Sequence, residues 1–556
     1  MNGSIGLTTL ADIWRRSVDG RSAATFLRFE APSGAITEWS YAAFDAEVQR
    51  VAARLHALGV DDQRGVHLAL TNSPHFVALW LAASALGSHI VPSDPMGTSP
   101  ELAEHLVRTA PAVGVCAASR ADTYRTACAE SGLRDLAVIE VDESQSDLAV
   151  LAGEHPLPSV APSGSARAAV MFTSGTTGRP KGVIVTQANY AFAGATMAAA
   201  CDLQPDDRQL VVLPLFHANA QYYSFASAIA VGASVALMHT FSASRFIEQA
   251  ARHRATHASL FAGPMRMILA RGGPLDRSSG LPPLELRHCW YAQNLANDQY
   301  ATLTEWLGCR PRQLYGMTET IPAVLTDAAD DPRPDTMGYV TDGCVVDVQR
   351  GDGSSCAANE VGEIVVGGVP GDTLFGGYLD DEHTTNASYR GGWFLTGDRA
   401  WREADGRYHF DGRRADVLKV SGENVSVVEV EAALTEHPAV FEAVVVGAPD
   451  AVRDEVPVAF VVASADAPSD PDVLTAALAE WSTERMAKAK RPVRFVIVDE
   501  LPRTSVGKIR KFLLSEAALA PSAAFTSAPS SSPPSPPSPP SPPSPPSSPS
   551  SPEAVS

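Results

Sequence analysis

Between Ala168 and Tyr190 the chain reads AAVMFTSGTTGRPKGVIVTQANY, an apolar run followed by a loop of Thr, Ser and Gly and then a lysine. That set of residues suits a polyphosphate, offering hydroxyls, closely approached backbone N–H groups and one mobile cation at Lys181. The spacing is not G-x-x-x-x-G-K-[ST], because Lys181 is followed by Gly182, and the VIVT that comes next is strand-like where that loop opens into a helix. A P-loop kinase or ATPase is therefore disfavoured. A Gly/Thr loop is by itself also an ordinary hairpin turn, so the chemistry rests on what accompanies it.

Four further segments follow in order: YGMTET (Tyr315 to Thr320), GGWFLTGDRA (Gly391 to Ala400), FDGRRADVLKVSGENVSVVEVE (Phe410 to Glu431) and LPRTSVGKIRKF (Leu501 to Phe512). Each is short and weak alone. Together with the first loop they closely resemble the ordered core motifs of the adenylate-forming superfamily of acyl-CoA synthetases, peptide-synthetase adenylation domains and luciferases. The resemblance covers nearly the whole chain before its Pro-rich end, and FHANAQ with GENVSVVEVE is most similar to the carnitine- and crotonobetaine-CoA ligase branch.

Carried over residue by residue, the resemblance implies that Thr173, Ser174, Gly175, Thr176, Thr177, Gly178 and Lys181 surround the β- and γ-phosphates of ATP. It implies that Tyr315 packs on adenine, that Thr318 bonds near the α-phosphate and that Glu319 holds Mg²⁺. Asp398 is expected to accept from the ribose hydroxyls, with Arg413 binding the ribose or the phosphate. The family's late catalytic lysine falls on Lys508, where a cation stabilises charge as the phosphoanhydride breaks. Local readings compete: Glu319 as a capping carboxylate, Asp398 as an Asx turn in Thr-Gly-Asp, and Gly507-Lys508 as an exposed turn.

The implied reaction is attack of a carboxylate on the α-phosphate with loss of pyrophosphate, then transfer of the acyl group to a nucleophile, with CoA as second substrate. The small C-terminal domain is expected to rotate between the two steps, withdrawing Lys508 and bringing the Gly422 segment to the site. The place of the family's charged hinge residue is taken by Ala415, so the familiar side-chain lock is absent. His217 in LPLFHANAQYY is a candidate for the acyl pocket and equally a packing residue. Gln293 and Asn294 in WYAQNLAND stand where many relatives have small residues. Turned inward, they favour a small or polar acid; turned outward, they are loop polarity. Other outcomes also suit the motifs: transfer to a carrier-protein thiol or an amine, or activation of nitrite in place of the acid with diazotisation of an aryl amine. A reading from a different class is a non-catalytic nucleotide-binding interaction protein, which the joint presence of Lys181, Thr318, Glu319, Asp398 and Lys508 opposes.

Positioning these groups requires more than one domain, since 556 residues exceed one compact core. With 45% hydrophobic and 19% charged residues the chain can bury a core. Helix-like and strand-like stretches alternate, as in Tyr41 to Leu58 then Val66 to Leu70, and Gln187 to Ala200 then Gln209 to Leu213. This predicts an α/β fold: a large N-terminal domain of layered sheets and helices (1–411) with a β-rich subregion beyond Pro311, then a small mobile α+β C-terminal domain (412–520). The polar DGRRAD, Asp411 to Asp416, is the expected junction. A net charge of −20 argues against a nucleic-acid partner, which needs clustered Lys and Arg. Phe76 to Pro92 is too interrupted to span a membrane and no secretory signal is visible, so the cytoplasm is the expected location. Seven cysteines without C-x-x-C spacing read as free thiols, not a zinc site or disulfide scaffold. Residues 521–556 are expected to be a disordered Ser/Pro-rich tail too poor in apolar residues to form a core. Deleting the chain after Pro521 is expected to leave turnover and melting temperature unchanged, checked by thermal denaturation; a large fall in Tm overturns this reading.

Overall fold

The computed structural model describes residues 8–154, 160–173, 180–276, 278–413, 417–420, 423–450, 453–503 and 509–519. Its helices and strands arise where local chemistry asks for them. Ser40 caps the helix Tyr41–Ala57 by accepting from the Ala43 amide, and Thr186 and Asn189 close a reciprocal cap on the helix Gln187–Ala200. The apolar stretch from Phe76 forms the helix Pro74–Ala85, then Gly87 at φ +69° and the strand Ile90–Ser93. The left-handed Gly87 stops the helix where a side chain would be strained.

Four sheets organise the chain. A six-stranded sheet runs in the order Ala137–Val141, Val113–Ala117, Val66–Ala69, Ile90–Ser93, Arg167–Thr173 and Lys181–Thr186, parallel except for the last antiparallel pair. A nine-stranded sheet has Arg312–Tyr315, His288–Tyr291, His257–Ser259, Arg208–Val211, Ser234–Met238 and Thr25–Glu30 as its parallel centre. Its antiparallel edges are Ile36–Ser40 on one side, and Leu325–Thr326 with Tyr339–Val340 on the other. Val345–Gln349, Gly362–Gly367, Tyr389–Arg390, Trp393–Arg402 and Tyr408–Arg413 form an antiparallel sheet. The expected β-rich region beyond Pro311 is therefore present.

One continuous apolar core joins these three sheets. Every residue from Pro74 to Ser84 is buried, which marks the helix as one enclosed on all sides. Its Trp80 meets Tyr190 at 5.2 Å and Phe225 at 6.1 Å between ring centroids, tying three helical segments together.

The fourth sheet is built from Val417–Val420, Glu423–Ser426, Val440–Asp450, Asp454–Ala463 and Arg494–Ile497. The two-residue alternation of its strands divides its core. Ala443 and Val445 pack with Leu434 and Leu478 of the helices Val427–Thr435 and Pro471–Arg485, while Val444 and Val446 pack with Leu514 of the helix Lys511–Ala518. Asp411, Gly412 and Arg413 of the polar junction complete a strand instead of turning, and Arg414 to Asp416, including the hinge position Ala415, lie outside the described residues. Among the described residues no helix is long and apolar enough to cross a membrane. All seven cysteines are free thiols, five of them buried. Trp80→Ala is expected to lower unfolding stability by about 3–5 kcal/mol, read as a lower urea midpoint at unchanged slope.

Candidate active site

The phosphate-type loop springs from a hairpin in which Thr173 stands opposite Lys181. Ser174, Gly175, Thr176, Thr177 and Gly178 lie outside the described residues, as does Lys508. The hairpin stem is braced from one side. Phe172 stacks flat on His105, with 3.9 Å between centroids, and the Arg108 guanidinium lies 4.9 Å from the same Phe172 ring while donating to the Pro180 carbonyl at 2.5 Å. Burial lowers His105 to about 4 and His67, linked to it through Ser93, to about 3. Both rings are neutral at pH 7, so the stem is held by stacking and the Arg108 bond.

On its other side the strand Lys181–Thr186 is locked to the segment Phe375 to Leu379. Leu379 N–H donates to the Gly182 carbonyl at 2.7 Å, Gly376 N–H to the Ile184 carbonyl at 2.8 Å, and Ile184 N–H to the Gly377 carbonyl at 3.0 Å. This approach needs glycine: a Cβ on Gly182 would sit 3.1 Å from the Leu379 Cβ, and Gly377 holds φ +117°. The seated segment presents Tyr378. Its hydroxyl donates to Glu319 Oε1 at 3.0 Å, and its ring lies 4.7 Å from the Lys181 ammonium, a cation–π contact. Burial first, then the neighbouring Glu319, holds the Tyr378 hydroxyl protonated and thus a donor.

Glu319 is 4% exposed. It sits on the short turn Thr318–Thr320 after the strand Arg312–Tyr315, with Thr318 half-buried beside it and the Phe375 N–H on its carbonyl. Ile321 follows at φ +71°, a strained backbone for a β-branched residue. Tyr315, at the end of the same strand, donates its hydroxyl to Asp398 Oδ2 at 2.7 Å, and Arg413 Nε donates to Asp398 Oδ1 at 3.0 Å. Asp398 is 4% exposed and faces Arg413 across paired strands. Its N–H donates to Thr396 Oγ1 at 3.1 Å, with Gly397 at φ +74°, so the local turn and the buried carboxylate coexist. Burial, with Asp398 adding to it, raises Tyr315 far above the ordinary phenol range.

The remaining sequence candidates stand at the carboxyl ends of strands in the same nine-stranded sheet, where ligands of parallel sheets bind. His217 follows Arg208–Val211, half-buried, its ring 4.3 Å from that of Phe216. Gln293 and Asn294 follow His288–Tyr291, and both are exposed, Gln293 at φ +75°. Asn294 Oδ1 accepts from buried Gln313 at 3.1 Å, and its carbonyl accepts from Arg266 at 2.9 Å. Arg266 also pairs at 2.9 Å with Glu442 of the fourth sheet, and Arg503 pairs with the same carboxylate. Through Asn294 and Arg266, which lies on the helix Ala262–Arg271, this loop is linked to the fourth sheet. Sequence reasoning missed Tyr378, whose signal was the Gly-Gly-Tyr step in LFGGYLDD, and missed Arg108, Arg266 and Glu442, which carry no local signal.

Residues 14–379 match the family model of the AMP-binding enzyme, and residues 429–508 match that of the AMP-binding enzyme C-terminal domain. The chain belongs to the AMP-binding enzyme family. The crotonobetaine/carnitine–CoA ligase of Salmonella arizonae is 32% identical over 501 residues, covering 88% of this chain and 95% of the relative. That of Salmonella typhimurium is 31% identical, covering 91% and 99%. Among solved structures, an anthranilate CoA ligase, AuaEII, in complex with anthranoyl-AMP superimposes at a TM-score of 0.83 with 25% identity, covering 93% of this chain and 99% of that one. ATP-bound MatB from Rhodopseudomonas palustris gives 0.81 and 25%, covering 91% and 98%. This AMP-binding enzyme is an ATP-dependent, AMP-forming ligase with a large α/β N-terminal part and a smaller C-terminal one. In it, Tyr378→Phe removes the hydroxyl donor to a buried carboxylate and is expected to lower stability by about 1–3 kcal/mol, measured by urea unfolding.

Proposed function

We propose that this AMP-binding enzyme activates a small, polar or aromatic carboxylic acid as its acyl-adenylate, releases pyrophosphate, and passes the acyl group to the thiol of CoA. The observation that carries the reading is the buried Asp398 carboxylate held between Arg413 and the hydroxyl of Tyr315, the residue that ends the strand leading to buried Glu319. A non-catalytic scaffold has no need for two buried carboxylates gathered around the end of the strand Arg312–Tyr315, because burying them is costly. Relatives named as CoA ligases support CoA as acceptor.

In this reading Tyr315 and Arg413 orient Asp398 toward the ribose hydroxyls, and the Tyr315 ring packs on adenine. Thr173, Ser174, Gly175, Thr176, Thr177, Gly178 and Lys181 hold the outer phosphates. The Lys181 ammonium rests on the Tyr378 ring, which keeps it at the stem of the loop. Mg²⁺ fits Glu319, since this hard cation takes one or two carboxylate oxygens beside substrate phosphates and Tyr378 already fixes the carboxylate. Bound there, it supplies neutralisation of phosphate charge. Thr318, on the same turn, bonds near the α-phosphate, and His217 borders the acyl group.

Lys508 is the cation that acts on the charge developing between carboxylate and α-phosphate. The residues flanking its segment support this reading: Arg503 and Ile509 pair across one bridge, and Arg503 shares Glu442 with Arg266 of the helix Ala262–Arg271. The proposed domain limits are 1–411 and 412–520, followed by the tail 521–556, with the C-terminal domain rotating between the two half-reactions. Pyrophosphate release over a panel of carboxylates and nitrite, with mass detection of products formed with CoA, an amine or a carrier protein, tests acid and acceptor together. Lys508→Ala is expected to raise the barrier to adenylation by about 2–4 kcal/mol while calorimetric ATP binding changes little. Undiminished pyrophosphate release by the variant removes Lys508 from the mechanism.

A further inference from the structure

The loop that carries His217 leads into a π-helix, Asn219–Ala226. Such widened turns recur at functional sites. Asn219 is 4% exposed, yet neither its Oδ1 nor its Nδ2 has a hydrogen-bond partner among the described residues. The amide two residues later behaves in the ordinary way: Gln221 accepts from the Tyr190 hydroxyl and donates to the Leu215 carbonyl at 2.5 Å. An unpaired buried amide is costly, and a chain retains one where the missing partner arrives with a ligand.

The surroundings of the helix say which ligand. Four residues on from Asn219, and so near it on the helix surface, Tyr223 approaches Gly316 so closely that a Cβ there would meet the Tyr223 hydroxyl at 3.0 Å. The next-door Tyr222 reaches Met171 Sδ at 3.8 Å, on the strand that ends at Thr173. The helix is therefore wedged between the stem of the phosphate loop and the Tyr315 to Glu319 turn, and Asn219 stands at its His217 end, the side that the acid-activating reading gives to the acyl group.

Resting on the acid-activating reading above, we propose that Asn219 is a specificity-determining residue that recognises an uncharged hydrogen-bonding group on the acyl portion of the acid, one that both donates and accepts, such as a hydroxyl or carboxamide. An amide offers one acceptor and a pair of donors. A quaternary ammonium satisfies neither, and a second carboxylate satisfies the donors but sets its charge against Oδ1. A hydrocarbon leaves both groups buried and unpaired, so the site rejects it.

The test compares full-length wild-type enzyme, Asn219→Leu and Asn219→Ser. The probes are matched acids: benzoate against 2-, 3- and 4-hydroxybenzoate, and butyrate against 3- and 4-hydroxybutyrate and succinamate. The readout is kcat/KM for ATP-dependent pyrophosphate release. The wild type is expected to favour at least one hydroxy or carboxamide acid over its hydrocarbon parent by about tenfold or more. Asn219→Leu, with the same branching but no polar atom, should remove that preference, and Asn219→Ser, which keeps a donor and an acceptor, should restore part of it. Asn219→Leu should also melt no lower than the wild type without substrate, since it removes an unpaired amide. A preference equal in wild type and Asn219→Leu overturns the proposal, as does a fall in Tm with the leucine, which would mean that the amide is satisfied in the free enzyme. Were the leucine variant not to fold, equal preference in wild type and Asn219→Ala would overturn it equally. Wild type that releases pyrophosphate with no acid at all overturns the acid-activating reading itself, an outcome distinct from activation without preference.

Discussion

The site depends on the bond from the Tyr378 hydroxyl to the buried Glu319 carboxylate. A carboxylate cannot be taken out of water without partners, and this one finds Tyr378 only because the segment Phe375 to Leu379 is seated between two sheets. That seating uses backbone bonds to Gly182 and Ile184 on one side and to the Glu319 carbonyl on the other. The glycines at 182, 376 and 377 permit the backbones to approach. The distance between the phosphate-loop stem of the six-stranded sheet and the acidic turn of the nine-stranded sheet is thereby set by one short stretch of chain. Lys181 is fixed by the same stretch, through the Tyr378 ring.

Much of this arrangement is legible in sequence where the signal is local. The helix Gln187–Ala200 and the strand Ser234–Met238 lie where apolar pattern and caps put them. The Thr-Gly-Asp step marks Asp398, because a turn residue and a carboxylate coincide there. Tyr378 is different: its partner lies 59 residues away, and the bond exists only once two sheets are assembled. Asn219 and Gln221 are indistinguishable as text, two amides two residues apart. Only the fold supplies Tyr190, 31 residues from Gln221, to one of them and nobody to the other among the described residues.

The loop at Gln293 and Asn294 has partners that its sequence does not announce. Polar amides in place of small residues do need partners, and Asn294 has them, but they are Gln313 and, through the Asn294 carbonyl, Arg266. Arg266 continues to Glu442 on the fourth sheet, so the loop is coupled to where that sheet sits. The fourth sheet carries apolar packing on both of its faces. It therefore has packing of its own besides the polar Arg266–Glu442 contact, as the rotation proposed above requires of a rigid unit.

The strand Thr25–Glu30 lies between Ile36–Ser40 and Ser234–Met238, pairing in parallel with a segment some two hundred residues downstream. During synthesis this strand must wait for its inner neighbour, while the six-stranded sheet draws all its strands from Val66 to Thr186 and can be assembled earlier. Closing so long a loop makes the nine-stranded sheet the slow, high-contact-order step of folding. In the interval the apolar Phe26, Leu27 and Phe29 are without their final cover. The nascent chain is most prone to aggregation in that window, and the strand Thr25–Glu30 is among the last to become native.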